Sequence, residues 1–194
     1  MSKIYVKKND YNKLIGCIDL HIHTSCSDGK YTINEIIEAS KKLRLKVISI
    51  ADHSTMQAYN EIITYPNDMI ILPAVEISSV FQDVKIHILG YGEGLLNEGF
   101  QKFLKETRDS FNKRFYDYLK LINYSKSDIK VENFIKDKST LSVKAFIKEI
   151  SESKEEENLL MSYYLPSDNY IVNSKDVINK IREFNGVSAL AHFN

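Results

Sequence analysis

Asp19-Leu20-His21-Ile22-His23-Thr24 is the stretch that decides the fold, because it carries two histidines at the end of a predicted buried strand. It ends a short apolar run, residues 14–22, which predicts the buried strand. Side chains two residues apart on a strand point the same way, so His21 and His23 can bind one ion. Taken alone, the pair predicts about equally well two partly buried histidines held by hydrogen bonds.

All five histidines of the chain lie at or within predicted strands. His53 follows the second apolar run, His87 lies between Ile86 and Ile88, and His192 ends the last run. Neutral imidazole is the commonest protein ligand for transition metals. Each histidine alone is equally well explained as a hydrogen-bonded core residue, but that explanation does not account for the set. The set predicts a multinuclear metallohydrolase.

Two carboxylates accompany these histidines. Glu76 interrupts the apolar strand 70–77, where an unpaired buried carboxylate would be very costly, and a pair of metals bridged by it removes that cost. A strand-end glutamate that faces water is the weaker alternative. Asp28 lies in a turn-rich loop before a glycine, where aspartate is ordinarily a turn residue. Asp52 is expected to cap the next helical segment or to orient an imidazole rather than to bind metal.

The predicted elements follow the order β-α-β-α-β-β, with apolar strands of the parallel type, which indicates an α/β sheet or barrel. Thr32 begins the first helix, and Glu35 completes a capping box. Further strands are predicted at residues 47–51, 69–78, 84–90 and 187–191, with a short helical segment at 55–64. Amphipathic helices are predicted at 97–122, near 141–150 and from residue 174, with an acidic stretch at 155–157.

Composition places the chain among ordinary globular proteins, with 194 residues, 43% hydrophobic and 27% charged. Twenty-six basic and twenty-six acidic residues balance, so the charge does not indicate a nucleic-acid groove, although it leaves one open. Two cysteines, Cys17 and Cys26, are too few for a disulfide framework. No stretch resembles a membrane span or a signal peptide, so we expect a cytoplasmic location and no membrane partner.

Six motifs, taken in chain order, resemble those of the PHP (polymerase and histidinol phosphatase) family. They are Asp19-Leu20-His21-Ile22-His23-Thr24, Ser27-Asp28-Gly29, Ala51-Asp52-His53-Ser54-Thr55, Val75-Glu76-Ile77-Ser78, His87-Ile88-Leu89-Gly90-Tyr91 and Ala191-His192. Each motif is weak alone, but their combined order and spacing match from about residue 17 onwards. The helical stretch before the last motif is most similar to the single-domain branch that acts on nucleoside phosphates.

The resemblance implies a distorted (β/α)7 barrel with metals at the C-terminal ends of its strands. It assigns residues 1–93 to the N-terminal part of the barrel, 94–170 to a helical insertion, and 171–194 to the return to the barrel. The family continues to an Asp-x-His motif that this sequence, which ends at Asn194, does not contain. The barrel is therefore expected to be incomplete at the C-terminus.

The resemblance also implies two or three divalent ions, for which manganese, zinc and iron all suit a nitrogen and oxygen ligand set. The expected ligand sets are His21, His23 and Glu76 for the first ion, Glu76, His87 and His192 for the second, and Asp28 with His53 for the third. Glu76 bridges the first two ions in this assignment. Glu76 and His192 are the residues expected to act in catalysis.

The implied function is hydrolysis of a phosphate monoester, of a nucleotide or a similar small molecule, by a metal-bridging hydroxide. The alternative is a non-catalytic or truncated metal-binding PHP module that acts in protein interaction or beside nucleic-acid enzymes. Thr140-Leu141-Ser142 stands where the nucleotide-phosphatase branch tends to carry an arginine, which weakens the nucleotide assignment. Arg108 and Arg114 are the arginines that could contact a phosphate.

Overall fold

The computed structural model describes residues 17–124, 130–134, 140–165 and 168–192. Its elements, in chain order, are β1 (Ile18–Ile22), α1 (Ile33–Lys42), β2 (Val47–Ile50), β3 (Ile70–Ile71), β4 (Ala74–Phe81), β5 (Val84–Tyr91), α2 (Glu98–Leu121), α3 (Val143–Ile150), α4 (Lys154–Ser162), α5 (Ser174–Glu183) and β6 (Val187–Leu190). Short 3-10 segments lie at Gln57–Glu61, Glu93–Leu96, Val131–Phe134 and Asp168–Tyr170. The start of the predicted first strand, residues 14–16, lies outside the described ranges. The fold is of the mixed α/β class.

Two three-stranded sheets meet at the end of β2. The first has the parallel order β1-β2-β3, and the second has the antiparallel order β4-β5-β6. An isolated bridge between His53 and Glu76 joins them, in which the Ser54 N–H donates to the Glu76 carbonyl at 2.8 Å. The sheets do not close within the described ranges, so the (β/α)7 barrel is not confirmed.

The third predicted strand, residues 69–78, is divided in the structure. β3 ends at Ile71 and β4 begins at Ala74, because Pro73 has no N–H to continue the ladder. β3 pairs with β2, whereas β4 pairs with β5 through a hairpin turn at Gln82 and Asp83. Both turn residues have positive φ angles, 47° and 64°, which are typical of the two-residue turns that match strand twist. The expectation of parallel-type strands throughout is therefore wrong for β4, β5 and β6.

Side-chain caps fix where most helices begin. The predicted capping box of α1 is confirmed, since Thr32 and Glu35 bond each other's backbone N–H groups. α4 was not predicted from the sequence, although Ser153 accepts a hydrogen bond from the Glu156 N–H. The acidic residues of its first turn suit the positive end of the helix dipole. None of the helices in the described ranges is long and apolar enough to cross a membrane.

Apolar side chains form two main clusters. The larger packs α1, α5 and the start of α2 against the sheets, and it includes Ile33, Ile48, Ile77, Phe100 and Ile181. The second packs the end of α2 against α3, and it includes Phe115, Tyr118, Leu119, Phe146 and Ile147. α2 therefore extends from the main core into a separate helical layer. The predicted division at residues 94 and 170 stays a prediction.

The buried Tyr59 hydroxyl fills the gap where β2 changes partner from β3 to β4. It donates to the Ile50 carbonyl at 2.6 Å and accepts from the N–H groups of Ile50 and Ala74 at 3.1 and 2.8 Å. These backbone groups have no ladder partner at the break around Pro73. The Tyr59 hydroxyl thus provides hydrogen-bond partners for the backbone at the start of β4, the strand that carries Glu76.

We predict that Tyr59→Phe lowers the free energy of unfolding by about 1–3 kcal/mol, because it leaves buried backbone groups without a partner. Urea denaturation followed by circular dichroism measures the change. Tyr65→Phe, at a side chain that is largely exposed, is the control and should shift stability by less than about 0.5 kcal/mol. Equal stabilities of the two variants would contradict the role given to the Tyr59 hydroxyl.

Candidate metal centre

Three imidazole rings surround one oxygen of the Glu76 carboxylate. Its Oε2 lies 3.1 Å from Nε2 of His21, 3.1 Å from Nε2 of His23 and 3.4 Å from Nδ1 of His53. The two rings from β1 also approach each other, with their Nε2 atoms 3.0 Å apart. His53 reaches the same point because it pairs with Glu76 where the two sheets meet.

Two further rings approach the other oxygen of Glu76 from the antiparallel sheet. Its Oε1 lies 2.7 Å from Nδ1 of His87 and 3.3 Å from Nε2 of His192. His87 faces Glu76 because β5 is paired in register with β4, and His192 follows β6 beside it. Ser78 lies opposite His87 in the ladder and contacts its Nε2 at 3.2 Å. All five histidines of the chain therefore converge on one carboxylate.

Glu76 is ionised in this setting. Burial by itself would raise the pKa of its carboxyl group, since the side chain is only 2% exposed. Hydrogen bonds to His23 and His87, together with the positive charge that His53 carries when it is protonated, instead hold that pKa well below its usual range. The carboxylate is therefore a buried negative charge that attracts cations.

Asp28 forms a second group with His23 and His53. Its carboxylate oxygens lie 3.1 Å from Nδ1 of His23 and 3.5 Å from Nε2 of His53. The two nitrogens of His23 thus face different groups, Nε2 toward Glu76 and Nδ1 toward Asp28. Burial lowers the pKa of His53, which favours the neutral imidazole that binds metals. The carboxylates around His23 overcome its burial and raise its pKa.

The donor atoms are spaced as ligands of shared ions are spaced. Zinc-to-nitrogen bonds of about 2.0–2.1 Å put neighbouring ligand atoms roughly 3 Å apart. In the described ranges, three groups have ligand atoms within 4.8 Å of one another: His21, His23 and Glu76; His23, Asp28 and His53; and His53, Glu76 and His87. The seven residues singled out in the sequence lie together. The resemblance implied that His192 joins Glu76 and His87 at one ion, whereas in the last of these three groups His53 takes that place.

The loop after β1 is held by Asp52 and by a close turn at Gly29. The buried Asp52 carboxylate accepts hydrogen bonds from the Thr24 N–H, the Thr24 hydroxyl and the Ser27 hydroxyl at 2.7, 2.6 and 2.5 Å. The expectation that Asp52 caps the next helical segment is wrong, because its carboxylate points to the preceding loop. A Cβ on Gly29 would lie 2.2 Å from the His23 carbonyl oxygen, so only glycine allows this turn.

A cleft of about 360 Å³ opens beside these ligands. Asp28, His53 and His87 lie at one side, and α2, residues 140–144 and residues 170–172 form the other. The cationic side chains that line it are Lys85, Arg108, Arg114 and Lys144. Sequence reasoning missed Lys85 and Lys144, because distant segments bring them to the cleft and no local motif marks them. It also gave no role to Ser78, although Ser78 lies in the motif that contains Glu76.

Arg114 is the buried cation of this cleft. Its guanidinium lies 4.6 Å from the centre of the Phe111 ring and 5.1 Å from that of Tyr164. Its Nη1 donates to the Tyr164 hydroxyl at 2.8 Å, while its buried Nε has no hydrogen-bond partner among the described residues. Arg108 instead donates to the Ser54 carbonyl, which ties α2 to the loop after His53. An unsatisfied buried donor is expected to bind an anionic or carbonyl oxygen.

Comparison with curated proteins finds relatives over about half of the chain. The 5'-3' exoribonuclease Rnm of Salmonella typhimurium is 32% identical over 95 residues, which are 47% of this chain and 32% of that protein. Rnm of Escherichia coli is 31% identical over 100 residues, 50% of this chain and 34% of that protein. The matched region therefore spans about a third of each relative.

Comparison with solved structures finds the same fold. A protein from Bifidobacterium adolescentis, named as a metal-dependent phosphoesterase, has a TM-score of 0.60 at 23% identity. An amidohydrolase from Chromobacterium violaceum with bound sulfate has a TM-score of 0.61 at 21% identity. The alignments cover 90% and 91% of this chain and 66% of each of those chains. The sequence profile of the PHP domain matches residues 19–183, and the chain therefore belongs to the PHP family.

Proposed function

We propose that this chain is a metal-dependent phosphatase that hydrolyses the phosphate monoester of a small molecule of about nucleotide size. The observation that carries the proposal is the convergence of five imidazoles and two carboxylates beside a cation-lined cleft. A phosphate monoester carries negative charge in both its ground and transition states. A site suits the hydrolysis of such an ester if metal ions on one side and cationic side chains on the other stabilise this negative charge.

The seven proposed ligands are His21, His23, Asp28, His53, Glu76, His87 and His192. Their mixture of imidazole and carboxylate suits manganese, zinc or iron, whereas magnesium prefers oxygen ligands and its own waters. When bound, two or three such ions would lower the pKa of water and neutralise phosphoryl oxygens. We propose as well that β1 and β2 belong to a distorted (β/α)7 barrel, since His23 and His53 follow their C-terminal ends, where such folds place their sites.

The protein side chains have separate tasks in this proposal. Glu76 supplies the buried negative charge that holds cations together, and it contacts all five histidines. His192 is the most exposed of the five rings at 45%, so solvent reaches this side of the centre, while Asp28, His53 and His87 line the cleft. Ser78 contacts His87 and fixes the orientation of that ring. Glu76 and His192 remain the proposed catalytic residues.

The cleft supports a substrate with a second polar part beyond the reacting phosphate. Its volume of about 360 Å³ suits a molecule the size of a nucleotide. Arg114 and Lys144 lie on the helical side of the cleft, away from the histidines, and both are within cation–π distance of the Tyr164 ring. Such a surface can contact an aromatic base, a sugar or an additional anionic group.

A second candidate is removal of nucleotides from the 5' end of RNA. The similarity to the two Rnm exoribonucleases, over 95 and 100 residues, is the observation that favours it. The same metal ligands could serve a phosphodiester, since both reactions need stabilisation of a charged phosphoryl group. The open cleft leaves room for a chain end, while the net charge of zero gives no extended basic track.

We predict that the purified chain releases phosphate from p-nitrophenyl phosphate or from nucleotides in the presence of manganese or zinc, and that EDTA abolishes the activity. Glu76→Gln should lose most of the bound metal and at least about a hundredfold in kcat/KM, because neutralising the shared carboxylate removes the charge that holds the ions. Metal analysis and a phosphate-release assay measure both effects. A 5'-phosphorylated oligoribonucleotide in parallel distinguishes the two candidate reactions.

Glu61→Gln is the control, since Glu61 lies at the end of a 3-10 segment and contacts no histidine of the centre among the described residues. It should keep both metal and activity. Activity that survives exhaustive EDTA treatment would contradict the proposed mechanism. Bound metal without hydrolysis of any of these substrates would favour the non-catalytic metal-binding module instead.

We further predict that Lys144→Met and Arg114→Gln each raise KM for nucleotides by about tenfold and change kcat little. Removing one charge-assisted contact to the distal part of the substrate weakens ground-state and transition-state binding together. Lys148→Met is the matched control, because it lies one turn along α3 and does not line the cleft. The effect should be smaller for p-nitrophenyl phosphate, which lacks that distal part. Unchanged nucleotide kinetics would exclude the cleft as the substrate site.

A further inference from the structure

Asp52 connects the three segments that carry Asp28, His53 and Glu76. Its carboxylate accepts three hydrogen bonds from the loop after β1, and its carbonyl oxygen accepts from the Glu76 N–H at 3.2 Å. It also directly precedes His53 in the chain.

Ser27 lies between Asp52 and two of the proposed ligands, His23 and Asp28. Its hydroxyl proton goes to Asp52, because that contact is the shortest at 2.5 Å. The same Oγ lies 3.4 Å from Nδ1 of His23 and 3.4 Å from the Asp28 carboxylate. A hydroxyl held in this way limits where the His23 ring and the Asp28 carboxylate can lie.

The positions of His23 and Asp28 do not depend equally on the hydrogen bonds of Asp52. His23 directly follows β1, which is paired with β2, and the Ala51 N–H donates to the Ile22 carbonyl at 2.8 Å. Asp28 lies in the loop itself, and its carboxylate is 45% exposed. If the hydrogen bonds of Asp52 were lost, Asp28 would therefore move before His23 does.

We propose that Asp52 is a positioning residue that holds Asp28 against His23 and His53, and so controls the occupancy of that one metal site without binding the ion. The inference rests on the proposed metal centre. The Asp52 carboxylate is buried and contacts no histidine ring. Its effect would nevertheless be selective, because it would act only on the group formed by His23, Asp28 and His53. The groups centred on Glu76 are built on paired strands and should not need Asp52.

Manganese binding to the whole 194-residue chain tests the proposal, with Ser27→Ala and Asp52→Asn compared by equilibrium dialysis and calorimetry. Each variant should weaken the binding of one manganese ion by about 10- to 100-fold, as loss of a group that supports a ligand does, and leave the other ions unchanged. Ser27→Ala leaves the Asp52 carboxylate two of its three hydrogen bonds, so the variant should fold and its thermal midpoint should fall by only a few degrees. A merely structural role would lower the midpoint and the affinity of all ions together.

Ser49→Ala is the matched control, because the Ser49 hydroxyl is buried on β2 and has no hydrogen-bond partner among the described residues. It should bind manganese as the wild type does. The inference is overturned if both test variants, folded by circular dichroism, bind every ion as Ser49→Ala does, or if all ions weaken equally. A wild-type chain that binds no manganese would instead overturn the metal centre itself, and that result appears before any variant is compared.

Discussion

The burial of one ionised carboxylate, that of Glu76, is the constraint on which the rest of the site depends. A charge placed on a strand between apolar residues must have compensating partners, because its desolvation is costly. The fold meets this requirement with five imidazoles, each within 3.4 Å of a Glu76 oxygen. Neutral rings compensate a carboxylate only in part, whereas divalent cations compensate it fully. The same arrangement that makes the buried Glu76 carboxylate tolerable therefore also suits the binding of metal ions.

The sheet is built to bring these side chains together. β2 pairs with β3 at Val47 and Ile48, and β4 meets the chain beyond the end of β2, at the bridge between His53 and Glu76. Pro73 separates β3 from β4, and the Tyr59 hydroxyl forms hydrogen bonds with the backbone groups of Ile50 and Ala74 at this break. The antiparallel hairpin then places His87 opposite Ser78, beside the same carboxylate. An interruption of regular pairing is what creates room for a centre with ligands from both sheets.

The helical layer forms the other side of the cleft beside the histidine cluster. α2 reaches from the main core to the second apolar cluster, and Arg108 bonds it to the loop after His53. The relatives and solved structures support a shared fold and family, while they differ in their named activities. Ligands at strand ends are common to such folds, so differences in substrate are expected to arise from side chains such as Arg114 and Lys144. The proposed function is thus divided between metal ligands on the two sheets and substrate contacts on the helical layer.

The sequence by itself determined the α/β class and the seven side chains that the structure groups, because spacing of two on a strand and charges within apolar runs are local signals. The combined motifs also indicated the family. The sequence also determined the capping box of α1. Only the tertiary structure decided the division of the third strand, the antiparallel pairing of β4 to β6, the loop contacts of Asp52 and the cations of the cleft. Those features depend on which backbone groups and charges meet across long separations in the chain. Local patterns state what a residue can do, but its partners are fixed only when distant segments pack together.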